Sequence, residues 1–180
     1  MERRKIRNDE LGRLSNEAFK TAEKKPLVVV LDNVRSLNNV GSAFRTADAF
    51  LVEKIYLTGI TGKPPHREIQ KTALGATESV DWEYEEDVVL LCKRLKDDGY
   101  KLIAIEQVTG SNELNVYTPD TNEKYAVVFG NEVFGVNEEV VEIADSCIEI
   151  PQYGTKHSLN ISVSIGIVLW DFFNKLKKTP

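Results

Sequence analysis

Pro26-Leu27-Val28-Val29-Val30-Leu31-Asp32-Asn33 is the stretch whose reading decides the fold. The run Leu27 to Leu31 is apolar throughout and of strand length, with no polar face. That is the pattern of a strand buried on both sides in a parallel sheet. Similar short runs recur at Lys54-Ile55-Tyr56-Leu57, Val80-Asp81-Trp82, Leu102-Ile103-Ala104-Ile105, Tyr125-Ala126-Val127-Val128-Phe129 and Cys147-Ile148-Glu149-Ile150. Helical patterns lie between them, at Gly41 to Ala49, His66 to Leu74, Glu85 to Lys96 and Asn137 to Ala144, before a strongly apolar C-terminal helix that runs through Ile161, Ile165, Trp170 and Phe173. Such alternation predicts an α/β fold, a mostly parallel six-stranded sheet with helices on both faces.

Open parallel sheets bind ligands at the carboxyl ends of their strands. The unusual polar residues fall there. Asp32-Asn33 follows the first strand, Glu106-Gln107 the fourth, Gly130-Asn131-Glu132 the fifth, and Pro151 to Asn160 the sixth.

At 180 residues with no linker-like composition, the chain reads as one α/β domain over 26–180, preceded by a basic helical extension over 1–25. The extension has an amphipathic pattern (Leu11, Leu14, Ala18, Phe19, Ala22) and carries eight Lys/Arg, Arg3, Arg4 and Arg7 among them, against five acids. The whole chain has a net charge of −5, which argues against a protein that coats nucleic acid by bulk electrostatics. Local patches at the N-terminus, at Lys63, His66, Arg67 and Lys71, and at Lys175, Lys177 and Lys178 are either solvated faces or small sites that steer a polyanion. No apolar run is long enough to span a bilayer and the N-terminus is charged, so a cytoplasmic protein is expected. Cys92 and Cys147 are far apart and only two histidines are present, which suggests buried fillers and no metal site. Neither GxGxxG nor GxxxxGK[ST] occurs, so a nicotinamide-type Rossmann site and a P-loop are both unsupported.

Three blocks carry candidate chemistry. Asn38-Asn39-Val40-Gly41 leads into a helix that places Arg45 in its second turn; it reads as ordinary turn residues with a surface ion-pair partner, or as an anion or ribose site. In Gly130-Asn131-Glu132-Val133-Phe134-Gly135 the glycines allow a tight turn close to a ligand, and Glu132 is either a helix-terminus carboxylate or an orienting group. Ser158-Leu159-Asn160 heads the apolar C-terminal helix, either as a cap with Ser158 at N-cap and Asn160 in the first turn, or as a ligand site at a helix mouth. His66 reads as a surface or phosphate-contacting residue, and His157 as a capping or backbone-contacting one.

Taken in order, Asn39-x5-Arg45-Thr46-Ala47, Val128-Phe129-Gly130-Asn131-Glu132-x2-Gly135 and Ile150-Pro151-x6-Ser158-Leu159-Asn160-x-Ser162-Val163 resemble the three motifs of the SpoU/TrmH family, RNA 2′-O-ribose methyltransferases of the SPOUT class. The resemblance covers about residues 26 to 175. Asn38, where several relatives carry His, and Ile161, where Val is common, depart from it. The resemblance implies a C-terminal trefoil knot, which is otherwise nearly absent from proteins. It further implies S-adenosylmethionine as cofactor, tRNA or rRNA as substrate, no metal, and a homodimer with the active site at the subunit interface.

Carried over by position, Arg45 would act on the ribose 2′-hydroxyl, with Asn39, Glu132, Ser158 and Asn160 around it. Glu106, Gln107, Gly130, Ile150, Ser158 and Leu159 would hold the cofactor. Arg3, Arg4, Arg7, Lys63, His66 and Arg67 would contact RNA. A guanidinium is protonated at neutral pH, so the role expected of Arg45 is stabilisation of the developing alkoxide rather than proton removal. Two rivals are a guanine-N1 type base methyltransferase of the same fold class, disfavoured by the Asn39/Arg45 and Ser158/Asn160 pattern, and a catalytically silent RNA-binding module.

Overall fold

The buried run at 27–31 becomes an interior strand, third in a seven-stranded sheet in which every pairing is parallel. The structure is a computed structural model and describes residues 3–177; Lys178 of the third basic group lies outside the described residues. In chain order the elements are α1 (Asn16–Thr21), β1 (Lys25–Asp32), α2 (Leu37–Ala49), β2 (Val52–Thr58), α3 (Arg67–Ala73), α4 (Ala76–Ser79), β3 (Asp81–Glu85), α5 (Val88–Asp97), β4 (Tyr100–Ile105), β5 (Asn112–Glu113), β6 (Lys124–Phe129), α6 (Glu138–Ile143), β7 (Ser146–Glu149) and α7 (Ile161–Lys175). A 3-10 turn, Asn8–Glu10, precedes α1.

The expectation of six strands is corrected to seven. The missed strand, β5, is two exposed residues pairing with β7 at the sheet edge, too short and too polar to leave any period-2 signal. Several predicted helix limits also shift, because caps rather than apolar periodicity set them. Ser36 caps α2 ahead of the polar turn Leu37 to Asn39, so the helix starts before the pattern predicted from Gly41. Asp87 likewise caps α5 by accepting from the Val89 and Leu90 N–H groups.

The sheet order is β3-β2-β1-β6-β4-β7-β5. Alternate residues of β1 point to opposite faces. Leu27, Val29 and Leu31 join a core with α2, α3 and α7, while Val28 and Val30 join another with α5 and α6. Helices therefore cover both faces, and β1 needs no polar side.

Register fixes where the polar residues emerge. Leu31 pairs with Phe129, Phe129 with Ile105, and Ile105 with Ile148, so β1, β6, β4 and β7 end level. The residues that follow, Asp32, Gly130, Glu106 and Glu149, begin one shared edge. The order also reverses there: β2 lies on one side of β1 and β6 and β4 on the other, which is a switch point where loops diverge and leave a crevice.

α1 is anchored elsewhere. It packs on α4, burying Phe19, and Asn16 donates to Glu78 at 3.4 Å. Among the described residues no helix is long and apolar enough to cross a membrane.

Candidate active site at the carboxyl edge of the sheet

The loop after β6 is a tight turn closed by its own backbone. Asn131 and Gly135 each donate to the other's carbonyl at 2.9 Å, and the Asn131 side-chain oxygen accepts from the Val133 and Phe134 N–H groups at 2.8 and 3.2 Å. Gly130 is required by close approach: a Cβ there would lie 2.0 Å from the Gly135 carbonyl carbon. Gly135 is required twice, by its φ of 72° and by the Glu106 carboxylate beside it. Glu106 reaches across from β4, accepting from the Val136 N–H at 2.9 Å and the Gln107 N–H at 3.0 Å. Asp32, which is buried, accepts from the Asn137 N–H at 2.8 Å; burial raises its pKa, with the Asn137 and Asn33 hydrogen bonds opposing.

Glu132 projects from this turn to the start of α2. Its carboxylate accepts from the Arg35 and Ser36 N–H groups, both at 3.0 Å, and from the Asn39 amide at 3.2 Å. Burial opposes its ionisation, yet the N–H donors of Arg35, Glu132 itself and Ser36, with the Asn39 amide, outweigh burial and lower its pKa below the usual glutamate value. The two readings of Glu132 merge, since it satisfies backbone donors ahead of one helix and orients a buried side chain of that helix.

Asn39 passes the constraint on. Its side-chain oxygen accepts from the Asn160 amide at 3.4 Å. Asn160 is the N-cap of α7, its own oxygen accepting from the Ser162 N–H at 2.8 Å and the Ser162 hydroxyl at 2.5 Å. Ser158 is therefore not the cap, which corrects the cap reading of the trio by two residues. The reason is chemical: the Asn160 amide can accept from the first turn and still donate to Asn39, a span a serine hydroxyl cannot cover.

A cavity of about 510 Å³ opens beside this chain of hydrogen bonds. Glu106, Gln107, Gly130, Ile150, Ser158 and Leu159 all line it, as do Glu132 and Asn160. Gln107 also donates to the His157 carbonyl at 3.1 Å, pinning the loop after β7 across the mouth. The volume is of the size that takes a small molecule or cofactor. Its walls combine apolar Ile105, Phe129, Ile150 and Leu159 with polar Gln107 and Ser158, and Gly130 lets backbone form part of the wall.

Arg45 is not brought to this cavity. It lies six residues beyond Asn39, about a third of a turn round α2, and is exposed; among the described residues its guanidinium forms no ion pair or hydrogen bond. Asn39, Glu132 and Asn160 are one hydrogen-bonded unit, and Ser158 shares only the cavity with Glu132 and Asn160.

The basic residues divide similarly. The loop carrying Lys63 and the start of α3 follow β2 at the same carboxyl edge, tied to the site because Asn33 accepts from the Ile60 N–H at 3.1 Å and Thr61 from the Val34 N–H at 2.9 Å. The Lys63 ammonium lies 3.9 Å from the Tyr84 ring centre, His66 is the N-cap of α3, accepting from the Glu68 N–H at 3.2 Å, and Arg67 is exposed. Arg4 pairs with Glu10 and Arg7 with Asp9, and no hydrogen bond or ion pair among the described residues joins Arg3, Arg4 or Arg7 to the Lys63 group. Both cysteines are free; burial, then the Asp32 and Asp87 carboxylates, push the Cys92 thiol up to about 12, which leaves it unreactive.

Sequence reasoning missed two contributors. Asn131 holds the turn and donates to the Asn33 carbonyl at 2.6 Å, and Ser162 fixes the Asn160 amide. Asn131 lies inside the second motif and Ser162 inside the third, and neither sits in a local pattern that reveals its partners.

Comparison with known proteins finds relatives over most of the chain. A tRNA (guanosine(18)-2′-O)-methyltransferase of Aquifex aeolicus is 35% identical over 152 residues, covering 82% of this chain and 69% of that protein. A 23S rRNA (guanosine-2′-O-)-methyltransferase of Neisseria meningitidis serogroup B is 29% identical over 153 residues, covering 85% of this chain and 60% of that protein. Among solved structures, the A. aeolicus TrmH/SpoU tRNA modifying enzyme superposes with a TM-score of 0.78 at 31% identity, covering 89% of this chain and 79% of that one. An AdoMet-bound rRNA methyltransferase of Sinorhizobium meliloti gives 0.78 at 26% identity, covering 87% and 59%. The model of the SpoU rRNA Methylase family matches residues 26–170, and the chain belongs to that family.

Proposed function

We propose that this protein is an S-adenosylmethionine-dependent RNA methyltransferase that transfers a methyl group to a ribose 2′-hydroxyl of tRNA or rRNA, in the cytoplasm. The observation that carries the reading is the Glu132–Asn39–Asn160 chain set at the margin of the cavity. Two family relatives named for 2′-O-methylation and one solved with AdoMet support it.

In this reading Gln107, Gly130, Ile150 and Leu159 hold the cofactor, and Glu106 supports the turn that carries Gly130. When bound, S-adenosylmethionine supplies an electrophilic methyl on a sulfonium. The chain's own residues then align and activate the acceptor oxygen, which is worth most when positions are fixed before substrate arrives. Asn160 and Ser158 face the ribose, and Arg45, which does not reach the cavity of its own chain, acts from a second copy at the subunit interface, stabilising the oxyanion that develops as the hydroxyl loses its proton to solvent.

Three further parts belong to the same proposal. Residues 1–25 form a basic extension to the 26–180 domain, and the extension and the Lys63, His66, Arg67 group contact RNA. A second copy of the chain covers α7, whose exposed Val163, Ile167 and Trp170 recur at i, i+4 and i+7 as an apolar stripe continuing from Leu159. The segment from β7 to α7 is threaded as a knot. In support of that threading, the connection from β4 to β6 pairs outside β7 through β5 and also closes over α7, where Lys175 donates to the Leu114 and Tyr117 carbonyls at 2.6 and 2.8 Å.

The reading is tested by calorimetry with S-adenosylhomocysteine and by mapping ribose methylations lost from tRNA and rRNA when the gene is removed. Micromolar or tighter binding with one or more lost sites is expected. A protein that binds no cofactor is a silent RNA-binding module.

A further inference from the structure

An aromatic ring held exposed on a hydrogen-bonded turn beside a cavity presents a flat apolar face to whatever docks there. Phe134 is 86% exposed, although its backbone N–H is fixed by Asn131 and its turn is closed at both ends by the Asn131 and Gly135 pair. Among the described large apolar residues that are exposed, Val133, Phe134 and Leu159 line the cavity, and Phe134 is the aromatic one. Two residues earlier on the same turn, Glu132 orients Asn39. The ring thus stands at the junction between the cavity and the polar chain assigned to the ribose.

We propose that Phe134 is a stacking platform for a nucleobase of the RNA, at or next to the nucleotide whose ribose is presented to Asn160 and Ser158. The inference rests on the ribose-methylation reading above for the placement of the ribose. The physical case is independent of it. A base offers a flat π-face whatever its identity, so an aromatic ring gives sequence-tolerant affinity and fixes the sugar attached to that base. The closed turn holds the backbone beneath the ring before RNA arrives, so little backbone freedom is lost on docking. With the Asn131, Val133, Phe134 and Gly135 N–H groups spent inside the turn, the exposed Phe134 ring is the apolar face that the turn offers outward, suited to stacking.

The test compares wild type, Phe134→Ala, Phe134→Leu and Phe134→Trp in filter binding of total tRNA and rRNA from cells lacking the gene, with S-adenosylhomocysteine present. Methyl transfer from tritiated cofactor is measured on the same RNA. Stacking predicts that Phe134→Ala and Phe134→Leu weaken RNA binding about ten- to a hundredfold, that Phe134→Trp restores it, and that cofactor affinity and sedimentation mass stay unchanged in all four proteins. RNA affinity unchanged in Phe134→Ala, or restored fully by Phe134→Leu, overturns the proposal. So does a loss of cofactor affinity, which makes the ring a cavity wall, or a fall in mass, which makes it a partner contact. Because the binding arm needs no turnover, a wild type that binds RNA through Phe134 yet labels only bases refutes ribose methylation and leaves the stacking role intact.

Discussion

In the proposed reading the inner and outer faces of α2 carry the two halves of the chemistry, and they are built in opposite ways. On the inner face Val40, Phe44 and Ala47 are fully buried, and Asn39 is held between Glu132 and Asn160, donating to one and accepting from the other. On the outer face Arg45 is exposed and, among the described residues, has no partner. One half is finished when the chain folds. The other is left for whatever docks against it. In that reading a rigid inner face fixes the acceptor geometry in advance, and an unpaired guanidinium keeps its donors free for an oxyanion or phosphate.

The most severe way to break this arrangement is on the outer face. Arg45→Ala should lower methyl transfer by about a hundredfold or more, the scale of removing an oxyanion donor, while calorimetry shows unchanged S-adenosylhomocysteine binding and melting shows an unchanged Tm. Retained turnover would remove Arg45 from the chemistry. Next comes the turn on which the inner face depends. Gly130→Ala places a Cβ 2.0 Å from one backbone carbon and 2.1 Å from the Val136 nitrogen, so the turn must open. A loss of about 1–3 kcal/mol of stability is expected, read by urea unfolding, with weakened cofactor binding.

Asn39 and Glu132 give a finer probe. Asn39→Ala removes a donor to Glu132 and an acceptor for Asn160, two exposed partners that water can re-satisfy, at a cost of about 0.5–1.5 kcal/mol. A double-mutant cycle with Glu132→Gln should show a coupling of about 0.5–3 kcal/mol. Additive effects would mean that the two side chains act separately.

The smallest effect is a pH dependence. The Glu132 carboxyl is lowered below its ordinary value in the fold, so its contribution is present above that value and fades as pH falls through the lowered one. The Tm difference between wild type and Glu132→Gln should therefore be constant near neutrality and shrink in acid. A difference that grew with acid would mean that the fold disfavours the charged carboxylate.

The sheet was legible because Leu27 to Leu31 and Tyr125 to Phe129 are apolar on both faces, a pattern few other elements share. The carboxyl-edge site was legible for the same reason, since strand ends and polar blocks coincide. β5 left no trace because two edge residues carry no periodicity. The cap of α7 moved from Ser158 to Asn160 because capping depends on a side chain's reach across to α2, which lies 121 residues away in sequence. Register between β1, β6 and β4, which sets Glu132 against Arg35 and Ser36, is likewise a product of pairing and not of local pattern.

Nucleoside analysis tests ribose methylation most directly. RNA from cells lacking the gene is incubated with the protein and methyl-tritiated S-adenosylmethionine, then hydrolysed in alkali. A 2′-O-methyl group blocks cleavage at its own phosphodiester, so ribose methylation predicts label in alkali-resistant dinucleotides, abolished by Arg45→Ala. Label confined to mononucleotides carrying methylated bases would contradict it.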